Sequence, residues 1–76
     1  MIKELDSVVL TTALTEHGLT SGDIGTVVLV HEGGRGYTVE FMTLAGSTVA
    51  VVTLLAHQLR PIAKDEIAHA RTVAAA

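Results

Sequence analysis

The stretch Gly22-Asp23-Ile24-Gly25-Thr26-Val27-Val28 constrains the rest of the chain most. Glycine reaches positive φ without steric cost, so two glycines three apart suit a tight turn. Asp23 between them can bond back to the local backbone, which favours a turn over a helix. Thr26 to Val30 then run without a break, four β-branched residues and a leucine. Such side chains fit a pleated, buried surface better than a helix. The stretch predicts a loop that leads straight into a core strand. A phosphate-cradling glycine loop is excluded. That chemistry needs a helix opening directly behind the loop and a Lys or Ser/Thr placed for the anion.

The remaining elements follow in chain order. Val8-Val9-Leu10 predicts a short strand, and Thr11 to Ser21 a long polar loop anchored by Leu14 and Leu19. The second strand runs from about Gly25 to His31. Glu32-Gly33-Gly34-Arg35-Gly36 is a hairpin signal between two strand-like runs. Tyr37, Val39 and Phe41 alternate with Thr38, Glu40 and Met42, which marks a third strand with one buried and one wetter face. Leu44 to Ser47 makes a turn, and Thr48 to Leu54 the fourth strand. Leu55 to Leu59 reads as a short helical turn, and Leu59 to Ile62 as a closing strand in which Pro61, lacking a donor, belongs at an edge or end. The expected fold class is all-β: a small antiparallel barrel of about five strands over residues 1–62. A C-terminal helical or flexible tail is expected over 63–76. Ala63, Ile67, Ala70 and Ala74 form a helical stripe there. Asp65 and Glu66 at its start and Arg71 nearer its end suit the helix dipole. The alternative is a frayed alanine-rich tail, since so short a helix is marginal in water without docking.

Strands two and four do not alternate. Val28 and Val30 oppose Val27 and Leu29, and Val49 and Val51 oppose Ala50, Val52 and Leu54. An antiparallel sheet with one solvated face should alternate. The second face is therefore expected to be covered by the C-terminal segment, another copy of the chain or a different protein. Hydrophobic residues make up 49% of the 76 but aromatic ones only 3%, and there is no cysteine. A core of small aliphatic side chains without disulfides gains from burial against a partner. The candidate partner-binding residues are Val27, Leu29, Ala50, Val52, Ile67 and Ala70.

The formal net charge is −3. Through Ile62 the chain carries Lys3, Arg35 and Arg60 against six acidic residues, which disfavours binding to a phosphate backbone. Tyr37 and Phe41 look like core rather than a stacking platform. No apolar run approaches the roughly 18–20 residues of a membrane span, and no basic-then-apolar leader opens the chain. A soluble, cytoplasmic protein is expected. His17, His31, His57 and His69 sit on different elements, without the spacing of a metal site. Ser7, Ser21 and Ser47 look like turn formers rather than nucleophiles. No catalytic residue, cofactor or metal is expected. For a partner bound through charge, the acidic edge of Asp6, Glu16 and Asp23 and the hairpin tip at Arg35 are the places to look.

Strand, long loop, Gly-Asp-Ile-Gly-Thr-Val, hairpin, two further strands, a helical turn and Leu-Arg-Pro together resemble an SH3-like small barrel. The turn-strand pattern is similar to the KOW-type barrels of ribosomal and transcription factors, and to those of photosystem and nitrile-hydratase subunits. More closely, the chain resembles a family of short bacterial proteins of unknown function. The matching segments are Lys3-Glu4-Leu5-Asp6-Ser7-Val8-Val9-Leu10, Glu16-His17-Gly18-Leu19, Gly22 to Val28, Tyr37-Thr38-Val39-Glu40-Phe41 and Leu59-Arg60-Pro61. The resemblance covers roughly residues 3–62. It implies the barrel, no catalytic residues, and an antitoxin-like or accessory role beside a second small protein.

Two readings follow. The first is a non-catalytic protein-binding module that self-associates or binds a second small protein through an apolar sheet face. The alternative is a KOW-like barrel associated with nucleic acid or the ribosome, which rests on analogy and which the charge opposes. An accessory subunit like the nitrile-hydratase barrel, working beside a catalytic chain, is a third.

Overall fold

The computed structural model describes residues 1–73, so the expected helical position Ala74 lies outside them. Five strands form where the β-branched runs lie: β1 (Ser7–Leu10), β2 (Ile24–His31), β3 (Gly36–Met42), β4 (Thr48–Leu55) and β5 (Leu59–Pro61). They make one antiparallel sheet in the order β4-β3-β2-β1-β5. Val8 pairs with Gly25 on one side and Pro61 on the other, so β1 is flanked by both β2 and β5. A 3-10 turn at Ala56–Gln58 carries the chain from β4 to β5. Leu14 and Leu19 close the long loop on itself through reciprocal backbone bonds of 3.0 and 3.1 Å.

The core is aliphatic apart from the rings of Phe41 and Tyr37. Val8, Val27, Val39, Leu10, Phe41 and Leu54 are its most completely buried side chains. Leu54 from one outer strand and Leu59 from the other belong to the same cluster. The sheet therefore curls around its own inner face, but it does not close: β4 and β5 remain its two edges. The five antiparallel strands are as expected, whereas the closed barrel is not seen.

Gly22 and Gly25 serve different purposes. Gly22 has φ +99 and makes the turn. Gly25 already lies in β2, and a Cβ there would sit 2.6 Å from Val39 Cγ1 and 2.9 Å from Phe41 Cε1. Its missing side chain is the space that lets the core ring approach the backbone of β2. Asp23 bonds back to the turn as expected, its carboxylate accepting from Thr20 N at 2.9 Å.

Bulges explain the failed alternation. Opposite β3, Val27 pairs with Val39 and Leu29 with Thr38, leaving Val28 as the extra residue. Phe41 pairs with Ala50 and Met42 with Thr48, leaving Val49 as the extra residue on β4. Each bulge resets the parity of its strand. Val27 and Val30 thus turn inward around an outward Leu29, and Val49, Ala50, Val52 and Leu54 all turn toward the core.

The expected C-terminal helix is not formed. From Ile62 to Val73 the chain holds no helix or strand. The helical stripe lacked a docking partner, and a helix of this length does not stand alone in water. Instead the tail is tied back by its charges. Arg60 donates to both carboxylate oxygens of Glu66 at 2.8 and 2.7 Å, and Glu66 also accepts from Ala63 N at 2.7 Å.

Candidate functional site

The outer face of β2, β3 and β4 is built from residues left over when the inner parity is satisfied. Leu29, Thr38 and Thr53 form one cross-strand row, Glu40 and Val51 lie in the next, and Leu55 stands beyond Gly36. Leu29, Val51 and Leu55 are 47%, 55% and 59% exposed, with Val28 and Met42 also open to solvent. Between them runs a polar rib. Thr38 Oγ1 bonds His31 Nε2 at 2.7 Å and Thr53 Oγ1 at 3.0 Å, and Thr48 Oγ1 donates to Glu40 Oε2 at 2.7 Å. These bonds fix the rotamers of the rib beneath the flanking aliphatic groups. Glu40 is the one carboxylate in the three strands, which hold no lysine or arginine. The arrangement is apolar borders around a satisfied polar rib, which suits contact with protein surface.

The six candidate residues part company in the structure. Leu29 lies on the outer face. Val27 is fully buried, and Ala50 and Val52 pack on the core side, so these three are corrected to the inner face. The missed signal was the pair of bulges, which no local sequence feature announces. Ile67 and Ala70 are exposed, in the irregular tail rather than on a helix. Sequence reasoning overlooked Val51 and Leu55, which it had placed on the wrong side of β4 or in the following turn.

Through Val73 the tail runs over Asp23, Ile24 and Val9, where it covers part of the second face: Val9 is buried yet stands outside the inner core, and its β2 partner Ile24 lines the same cleft as Ile67. Arg71 Nε donates to Asp23 Oδ1 at 2.8 Å, and Arg71 Nη2 to Gly18 O at 3.0 Å. The Arg71 guanidinium, together with Thr20 N, holds the Asp23 carboxyl below its ordinary value, against an opposing push from burial. Arg60 and Ala63 N hold Glu66 down to about 2. A cavity of about 560 Å³ separates Ala68–Val73 from Leu19, Ile24, Phe41, Met42 and Val49. A second of about 350 Å³ lies between Ile67 and the side chains of Val9, Ile24 and Ile62. Both are open clefts under the tail, mostly apolar in lining.

Of the acidic edge, Asp23 is engaged by the tail, and Asp6 caps the N-terminal turn by accepting from Lys3 N at 2.9 Å. Arg35 at the hairpin tip lies 4.0 Å from Glu32, both well exposed. Among the described residues no three His, Asp or Glu side chains converge as metal ligands. No helix among the described residues is long and apolar enough to cross a membrane.

Comparison with curated proteins and with solved structures finds no match. Residues 4–61, more than half of the chain, match the family model described as Domain of unknown function (DUF4926). These are the residues of the sheet, from the turn before β1 to the end of β5, and the tail stands outside the match. The chain belongs to the DUF4926 family.

Proposed function

We propose that the chain is a small, non-catalytic protein-binding module of SH3-like architecture, which presents the outer face of β2–β4 to another protein chain. The observation that carries this is the exposure of Leu29, Val51 and Leu55 on one face, with Val28 beside them. Burying an aliphatic side chain of this size is worth about 1.5–3 kcal/mol, so cover for this face is strongly favoured. The SH3-like reading is supported by the strand order, with β5 returning to β1 after a 3-10 turn, and by the single core shared by both edge strands. A bacterial, cytoplasmic setting and an accessory or antitoxin-like role go with the family resemblance.

The test is affinity capture with wild-type protein and with Leu29→Lys and Leu55→Glu as baits. A chain held by the wild type, its own copy or a different protein, and lost with the substituted faces is the expected result. Identical recovery by all three baits, or none by any, overturns the reading.

A further inference from the structure

β4 is an edge strand with little to guard it. Edge strands normally carry a charge, a proline, a bulge or a covering segment that blocks further pairing, and β4 has only its bulge at Val49, near one end. Thr48–Leu55 carries no charge and no proline, and among the described residues β3 is its only strand neighbour. Ala56 N donates to Arg35 O at 3.3 Å, and the pairing is regular from Gly36↔Leu55 to Phe41↔Ala50. Antiparallel pairs alternate between bonded and non-bonded. Ala50, Val52 and Leu54 therefore bond to β3, while Val51 and Thr53 turn their N–H and C=O groups toward the open edge. Leu55 has the same outward parity, and Gln58 Oε1 accepts from its N–H at 2.8 Å. Val51 and Thr53 make no backbone hydrogen bond to any described residue outside the sheet.

We propose that this edge pairs with the same edge of a second copy, antiparallel about a two-fold axis at Val52, joining two sheets into one. In that register Val51 of each copy lies opposite Thr53 of the other, so the outward donors and acceptors of both residues are used. On the inner side Val52 meets Val52, and Ala50 meets Leu54. A second copy supplies what the edge requires: an uncharged antiparallel strand of equal length and parity. Between the Val49 bulge and Leu55, whose N–H goes to Gln58, the five residues Ala50–Leu54 pair across the axis and span roughly 17 Å. So short a contact falls at the small end of the interface range, and a reversible dimer is expected.

The edge is distinct from the outer face, and the two ideas fail independently. Sedimentation velocity of the wild type is expected to show a monomer–dimer equilibrium. Val51→Pro removes an outward N–H that β3 does not use and should weaken the dimer by about tenfold or more. Leu29→Lys, two strands in from the edge, should leave it unchanged. A dimer that survives Val51→Pro but is lost in Leu29→Lys overturns edge pairing and leaves the outer-face reading standing. A wild type that stays monomeric at every concentration overturns edge pairing alone. Amide exchange of the unmodified protein decides the matter if the proline variant does not fold. Exchange at Val51 and Thr53 should slow as protein concentration rises, while Val52 stays constant. Exchange at those two positions that ignores concentration counts against the dimer.

Discussion

Arg71 grips the carboxylate of Asp23, 48 residues earlier in the chain, with Nε on one oxygen and Nη2 on the other. The same Asp23 closes the turn before β2 by accepting from Thr20 N. One side chain thus orders a turn and tethers the tail. The guanidinium is planar and forked, so a two-point grip of this kind has a defined direction.

Replacing Arg71 with Ala should free the tail without unfolding the sheet. The family match ends at residue 61, and among the described residues no core side chain lies beyond Leu59. NMR relaxation is expected to show fast motion for residues 67–73 in Arg71→Ala, with strand amides unchanged and Glu66 still held by Arg60. Arg71→Lys should restore little, because an ammonium cannot reproduce the forked contact. A tail equally ordered in all three proteins would contradict the tether.

Acid should release the tail before it unfolds the sheet. Asp23 and Glu66 both have folded values below their ordinary ones. A depressed carboxyl contributes its tether fully above its unfolded value and loses it as pH falls toward the folded one. For Glu66 that window runs from 4.5 down to about 2. In a pH titration the signals of residues 63–73 should move toward random-coil positions in that window, while sheet dispersion persists. Both pairs reach the surface, so added salt should loosen the tail at neutral pH as well.

Gly25→Ala should destabilise the whole sheet. The new methyl would stand 2.6 Å from Val39 Cγ1 and 3.0 Å from Glu40 O, and β3 backbone cannot move without disturbing its ladders. Overpacking of this kind costs about 1–3 kcal/mol. Urea unfolding should show a lower midpoint with an unchanged slope. A midpoint equal to the wild type would mean that the core yields there.

Leu5→Gly should do the reverse. Leu5 has φ +73 and is largely exposed, so its side chain gains little while its backbone sits in the left-handed region. That conformation costs an L-residue roughly 1–2 kcal/mol. Glycine removes the strain but has more unfolded entropy to lose, so a gain of about 0.5–1 kcal/mol is expected in the same unfolding experiment.

The strands were legible because runs such as Val8-Val9-Leu10 and Thr26 to Val30 are locally consistent with nothing else. Tyr37, Val39 and Phe41 declared the inner face of β3 by simple alternation, and Leu14 and Leu19 declared themselves as loop anchors. The faces of β2 and β4 were not legible. A bulge at Val28 or Val49 is a property of the pairing, and either neighbour in an all-aliphatic run fills the position equally well. The role of Gly25 was hidden for a related reason: the atoms that forbid a side chain there belong to Val39 and Phe41, on another strand. The tail misled because Ala63, Ile67 and Ala70 supply helical spacing without a surface to dock on. Residue type alone puts Asp23 on an acidic edge and Arg71 beside a helix dipole, whereas their meeting depends on the path of the tail.

The self-closing loop between β1 and β2 carries a practical corollary. Because Leu14 and Leu19 bond to each other at its neck, the segment Thr15–His17 is a lobe hung outside the strand ladder. Cargo grafted at Glu16, such as a fluorophore or an epitope, would load the lobe and leave the alignment of β1 with β2 untouched.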